Sequence, residues 1–182
     1  MRIVAGTARG RKLVSPEGMD VRPTTDKVKE SLFNIIQFEV PDARVLDLFA
    51  GTGQLGLEAL SRGAAEAVFV DASGKSLATV KKNAELCGFT DRAKLVHADA
   101  LSWLSRGEGE FDLVFLDPPY HKGLCDKAFE WLPPVLGVSA AVICETQADE
   151  VLPERFGSFG LSKEYRYSAI KLSVYRNTET EN

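Results

Sequence analysis

The chain has 182 residues, a formal net charge of −4, 45% hydrophobic residues and 26% charged residues. These values suit one soluble globular domain with a small extension. No apolar run approaches a membrane span, and residues 1–12 are basic without an apolar core segment, so neither a spanning helix nor a secretory signal is expected. Cys87, Cys125 and Cys144 are isolated thiols without metal-ligand spacing. They read as small hydrophobes in a reducing cytoplasm, with no metal expected, and for so compact a chain a monomer is the default expectation. The charge is uneven. Residues 1–29 carry seven basic side chains against three acids, a net +4 that leaves −8 for the remainder. A basic arm on an acidic body points to a polyanion contact at the N-terminus.

In chain order, Arg2-Ile3-Val4-Ala5 and Arg11-Lys12-Leu13-Val14 flank Gly6-Thr7-Ala8-Arg9-Gly10, a hairpin with a glycine-containing loop. Ser15-Pro16-Glu17-Gly18 and Arg22-Pro23-Thr24-Thr25 are turn chemistry, with Thr24 or Thr25 placed to cap a helix. Val28, Leu32, Phe33, Ile35 and Ile36 give that helix an apolar face through about Phe38. Strand and helix then alternate: strands over 45–48, 67–71, 93–98, 113–116 and 140–145, and helices over 55–62, 73–87, 100–104 and 124–132. Alternation of this kind predicts a parallel sheet with helices on both faces. Residues 161–167 and 170–175 add an antiparallel pair, and 177–182 read as a disordered tail.

The chemistry gathers at the strand ends. Leu113-Val114-Phe115-Leu116 reads as a buried parallel strand and runs into Asp117-Pro118-Pro119-Tyr120. Two prolines cannot continue a sheet ladder, so the chain turns a stiff corner where open α/β sheets bind ligands. That corner offers a carboxylate, a carbonyl outside any helix and an aromatic face, the groups needed to hold a planar base by its exocyclic amine. Gly51-Thr52-Gly53-Gln54-Leu55-Gly56 has the G-x-G-x-x-G spacing. With Asp71 twenty residues beyond Gly51, it fits a nicotinamide dinucleotide and S-adenosylmethionine equally. Three further features separate them. Asp47 precedes the loop and would repel a pyrophosphate but suits the cationic amino-acid end of a sulfonium cofactor. Asp99 follows the third strand, within reach of an adenine amine. The Asp-Pro-Pro-Tyr corner has no role in hydride transfer.

These motifs resemble the class I S-adenosylmethionine-dependent methyltransferases over residues 44–176. Over nearly the whole chain the sequence is similar to one subgroup, the bacterial 16S rRNA (guanine-N2)-methyltransferases of the guanine-966 type. The residues that carry this closer likeness are Met1 to Gly6, Gly10 to Leu13, Arg22 to Asn34, Asp47 to Ala64 and Asp117 to Tyr120. The Arg22-Pro23-Thr24-Thr25 block is more specific than the glycine loop. Gln54 stands where family members commonly have a small residue, and Asp71 where many have Glu.

The resemblance implies a Rossmann-like α/β methyltransferase sheet, mostly parallel with an antiparallel C-terminal hairpin and flanked by helices. It implies a basic hairpin extension over 1–24, a methyltransferase domain over 25–176 and the tail beyond. S-adenosylmethionine would be held by Asp47, Phe49 and the Gly51-Thr52-Gly53 loop at the first strand end, Asp71 and Ala72 at the second, Asp99 and Ala100 at the third, and Asp117 at the fourth. Asp117, Pro118 and Tyr120 would be catalytic: Asp117 and the Pro118 carbonyl accept from the amine while Tyr120 stacks on the base. Arg2, Arg9, Arg11, Lys12 and Arg22 would contact RNA phosphates. The partner implied is 16S rRNA within a small-subunit particle containing ribosomal proteins.

Two rival readings remain: an amine methyltransferase acting on adenine N6 or a protein amide, and a catalytically silent cofactor-binding subunit. His121 and Lys122 read as exposed loop residues, His97 as structural, Trp103 and Trp131 as core, and Arg166 and Lys171 as surface.

Overall fold

A computed structural model of the chain describes residues 1–16 and 25–180. The strands are β1 Arg44–Leu48, β2 Glu66–Asp71, β3 Ala93–His97, β4 Phe111–Leu116, β5 Leu136–Gln147, β6 Arg155–Phe156, β7 Phe159–Tyr167 and β8 Ile170–Asn177. The helices are α1 Asp26–Ile35, α2 Gln54–Ser61, α3 Gly74–Cys87, α4 Ala100–Leu104 and α5 Leu124–Phe129. One eight-stranded sheet runs in the order β3-β2-β1-β4-β5-β8-β7-β6. The first five strands are parallel, and β8, β7 and β6 join antiparallel. No helix among the described residues is long and apolar enough to cross a membrane.

The central strands are apolar on both faces because both faces are covered. Leu113 and Phe115 of β4 pack with Phe33, Leu57 and Val80 from α1, α2 and α3. Val114 and Leu116 face the other way, with Trp103 of α4 and Phe129 of α5. These four β4 side chains are at most 1% exposed. Each such burial contributes about 1.5–3 kcal/mol.

The N-terminal arm is a thin hairpin. Its one bridge pair is Arg2 with Lys12, supported by Ile3 N donating to Arg11 O at 2.9 Å and Gly10 N to Ile3 O at 2.8 Å. Its stability comes from docking on α2. Val4 N and Ala5 N each donate to the Glu58 carboxylate at 2.9 Å. Ala8 N donates to Ser61 Oγ at 2.9 Å, and that hydroxyl donates to Ala5 O at 2.6 Å. Gly6 has φ +84°, and a Cβ there would lie 1.8 Å from Ser61 O, so only glycine permits the close approach. Lys29 of α1 is wholly buried. Its ammonium donates to Arg2 O and lies 3.4 Å from Glu58 Oε2, while Arg62 Nε reaches Glu58 Oε1 at 2.9 Å. Burial lowers the Lys29 pKa, and Glu58 opposes that shift. Ile3, Ala8 and Leu13 share the core cluster of α1 and α2, so the arm is sealed onto the domain.

Several sequence expectations change. Helix α1 is capped by Thr25, whose hydroxyl accepts from Val28 N, but it ends at Ile35 and leaves Phe38 88% exposed in the following turn. Helix α5 stops at Phe129. Leu132 takes the buried place instead, and Trp131 is 45% exposed rather than core. Lys171 is 3% exposed rather than on the surface, because its ammonium meets Glu164 Oε1 at 2.9 Å and Glu150 O at 2.6 Å. Asn177 does not open a disordered tail. It closes β8 opposite Phe159 and accepts from Glu179 N, and Thr178–Thr180 form a 3-10 turn. Strand β5 begins four residues before its expected start, and the two-residue β6 was not anticipated. Arg22 and the rest of residues 17–24, with the two turns read there, lie outside the described residues.

Removing one member of a buried ion pair strands the other. Glu58→Ala is therefore expected to cost about 3–5 kcal/mol in urea unfolding, and adding Lys29→Met should recover part of that loss. A Glu58→Ala variant as stable as wild type would contradict the network's role.

Candidate active site

Sheet order reverses between β1 and β4, and ligands bind beyond the carboxyl ends of strands at such a switch point. A cleft of about 550 Å³ opens there. Its wall collects Asp47, Phe49, Gly51 and Thr52 around the end of β1, Asp71 and Ala72 after β2, Asp99 and Ala100 after β3, and Asp117, Pro118 and Tyr120 after β4. Gly53 is not on the wall. It precedes α2 at φ +77°, and a Cβ there would meet Val80 at 3.0 Å. Ala50, Gln54, Leu55, Leu101, Pro119 and Leu124 complete the wall and were given no ligand role from the sequence. Gln54 and Leu55 lie inside the glycine motif, Ala50 adjoins it and Pro119 lies inside the Asp-Pro-Pro-Tyr corner, signals that could have placed them; Leu101 and Leu124 carry none.

Asp47 is 2% exposed, and its Oδ2 accepts from Gly56 N at 2.9 Å. A Cβ on Gly56 would lie 2.4 Å from the Phe69 ring and 3.1 Å from that oxygen. Burial pushes the Asp47 carboxyl up to about 7; the Gly56 hydrogen bond works against this and the neighbouring Asp71 charge adds to it. Asp71 fixes the loop: Oδ2 accepts from Gly51 N at 2.9 Å and Oδ1 from Ser73 N at 2.8 Å. Each oxygen keeps a second lone pair for a hydroxyl. Asp99 caps α4 by accepting from Ser102 N at 2.9 Å, and that bond holds its carboxyl below the usual range. Phe49 has φ 67°, a region bulky side chains rarely adopt, and this strained residue sits on the cleft wall.

At the corner after β4, Tyr120 donates its hydroxyl to Glu145 Oε1 at 3.1 Å. Glu145 is 3% exposed and was missed, although it ends the stretch read as the fifth strand and so continues the pattern of acids at strand ends. His121 and Lys122 are exposed on the loop, with His121 N donating to Glu150 Oε2 at 3.2 Å. His97 holds the segment after β2 through Ala72 O at 3.0 Å. Trp103 is buried, and Arg166 is exposed. On the arm, Arg9, Arg11 and Lys12 are exposed and have no ion-pair partner among the described residues, whereas Arg2 pairs with Asp26 at 2.7 Å. Among the described residues no three His, Cys, Asp or Glu side chains converge as metal ligands would, and the three thiols are unbridged.

A mostly parallel sheet with this order, an antiparallel β8 and one cleft at its switch point defines the class I methyltransferase fold. The chain belongs to the family described as Conserved hypothetical protein 95, whose profile matches residues 1–176. It is 37% identical over 183 residues to YlbH of Bacillus subtilis, provisionally named an rRNA methyltransferase, covering 97% of this chain and 98% of that one. It is 35% identical over 185 residues to ribosomal RNA small subunit methyltransferase D of Escherichia coli K12, covering 97% and 89%. A solved Escherichia coli structure provisionally described as a methyltransferase, yhhF, superposes with a TM-score of 0.87 at 35% identity, covering 97% of both chains.

The raised Asp47 pKa has a signed consequence for stability. The folded protein keeps a proton that the unfolded chain loses above about pH 4. The contribution of Asp47 therefore falls as pH rises from about 4 to 7 and is constant above that. Asp47→Asn keeps an oxygen for Gly56 N–H and removes the titration. The ligand-free variant should gain up to about 4 kcal/mol over wild type at pH 8 and little at pH 4, read by urea unfolding. An equal difference at both pH values would refute this.

Proposed function

We propose that the chain transfers a methyl group from S-adenosylmethionine to the exocyclic N2 amine of one guanine in 16S rRNA, of the guanine-966 type, within a small-subunit particle containing ribosomal proteins. The observation that carries this reading is the opposition, across one cleft, of the acid-flanked glycine loop and the Asp117-Pro118-Pro119-Tyr120 corner. The relative named ribosomal RNA small subunit methyltransferase D supports the substrate class.

The residues present fit the cofactor. The cleft has space at Gly51, where a Cβ would meet nothing within 4 Å, and acids that suit a cationic ligand line its length. Asp47 would hold the ammonium of the amino-acid end, Asp71 the ribose hydroxyls and Asp99 the adenine amine. When bound, the cofactor supplies an electrophilic methyl carbon on a positively charged sulfur. Guanine N2 is a poor nucleophile because its lone pair is delocalised into the ring. Asp117 and the Pro118 carbonyl accept its two N–H bonds and favour a pyramidal nitrogen whose lone pair faces the methyl. Transfer would leave the C–S electron pair on the cofactor's sulfur, and Asp117 is placed to accept the proton that N2 gives up. Tyr120 stacks on the base, its ring held through Glu145. The rate gain is positioning plus electrostatics. A guanine in folded RNA must leave its stack to reach the corner, and Arg9, Arg11 and Lys12 would hold the flanking phosphates.

Methyl-labelled cofactor incubated with unmodified small subunits, naked rRNA and DNA tests the reading. Label is expected in 16S rRNA, on guanine N2 alone; label on adenine, on protein or nowhere would overturn it. Asp117→Ala should retain binding of S-adenosylhomocysteine and lose at least about a hundredfold in methyl transfer, while near-normal turnover would remove Asp117 from the mechanism. Neutralising Arg11 and Lys12 together should weaken RNA binding and reduce the slope of log affinity against log salt by between about one and two. An unchanged slope would clear the arm of phosphate contacts.

A further inference from the structure

One buried side chain joins the basic arm to the cofactor loop. Asn83 on α3 is wholly buried. Its Oδ1 accepts from Val14 N at 2.8 Å. Its Nδ2 donates to Val14 O at 3.1 Å and to Thr52 O at 3.0 Å. The partners fix which atom is which: one N–H faces the oxygen and two carbonyls face the amide nitrogen. No other uncharged side chain of that size offers an acceptor and two donors at once. Val14 is the last residue of the arm's second strand, two positions beyond the exposed Lys12 and three beyond the exposed Arg11. Thr52 is the middle residue of the glycine loop and lines the cleft. A second contact spans the same gap: the Thr52 hydroxyl lies 3.4 Å from Met1 Sδ, and Met1 O accepts from Leu13 N at 3.1 Å. The loop thus takes one support from the sheet, where Asp71 holds Gly51 N, and one from the arm, through Asn83 and Met1.

We propose that Asn83 is a positioning residue that couples the arm to the cofactor loop, so that RNA held on the arm and cofactor held in the cleft bind cooperatively. Phosphate contacts at Arg11 and Lys12 hold the arm's second strand in place. That strand holds Val14 against Asn83, and Asn83 fixes the Thr52 carbonyl and with it the loop. Each ligand thus bears on the same Val14–Asn83–Thr52 chain of hydrogen bonds, and the linkage is reciprocal. This rests on the reading that the arm contacts RNA, and the closing experiment separates the two.

The dissociation constant of S-adenosylhomocysteine is measured by calorimetry with and without saturating unmodified small ribosomal subunits, whose 16S rRNA is the RNA ligand, for wild type and for Asn83→Ala. RNA should tighten binding at least about fivefold in wild type, and the ratio should fall to about one in Asn83→Ala whatever the separate affinities become. A ratio of one in wild type, or the same ratio in the variant, overturns the coupling. Should Asn83→Ala fail to fold, amide exchange in wild type decides: RNA alone should slow exchange at residues 51–53, and unchanged exchange overturns the proposal. If neutralising Arg11 and Lys12 leaves RNA affinity intact, the reading of the arm fails. If it weakens RNA binding while the wild-type ratio is one, only the coupling fails.

Discussion

A carboxylate buried at the centre of the sheet sets the terms for the rest of the molecule. Asp47 lies on the central strand with one oxygen committed to Gly56 N, and burial is the largest of the influences that push its carboxyl up to about 7. That contact exists because residue 56 has no Cβ, which lets α2 settle onto Phe69 and Asp47. All eight residues of α2 are buried as a result. Its first turn borders the cleft through Gln54 and Leu55, and its last turn carries Glu58 and Ser61, which receive the arm. One short helix therefore spans the distance between a ligand site and a basic surface.

The two faces of the sheet divide the work. The face covered by α1, α2 and α3 holds the arm and the glycine loop in one continuous cluster. The other face, covered by α4 and α5, backs the corner after β4. The cleft lies between them at the strand ends, so the proposed cofactor side and the proposed base side come from elements packed on opposite layers. Rigidity on the base side comes from proline chemistry and from Tyr120 hydrogen-bonded to a buried carboxylate on β5. The loop on the cofactor side is instead held by side chains, Asp71 on one flank and Asn83 on the other. A site that must admit and release a cofactor at each turnover has reason to be adjustable there.

Much of the fold was legible because β2 and β4 are short apolar runs that meet an acid, and α1, α3 and α4 begin at a side-chain cap. Thr25 caps α1, where the sequence offered Thr24 or Thr25, and Ser73 and Asp99 cap α3 and α4. The residues around the cleft were legible for the same reason, since acids at successive strand ends are a local pattern. The misreadings have two physical origins, long-range partners and local chain turns. Lys29 and Lys171 look like surface charge until Glu58 and Glu164 are brought to them from elsewhere in the chain. Asn83 looks like an ordinary polar residue of an amphipathic helix, and nothing near it in sequence announces Val14 or Thr52. Trp131 looks like core until the chain turns one residue later and buries Leu132 instead.

The central claim is spatial: one cleft presents an electrophilic carbon beside the glycines to an amine held at the corner. A crystal structure of the chain with S-adenosylhomocysteine tests it most directly. The account predicts the ammonium against Asp47 and the sulfur directed towards Asp117 and Pro118. An amino-acid end far from Asp47, or a sulfur turned away from the corner, would contradict it.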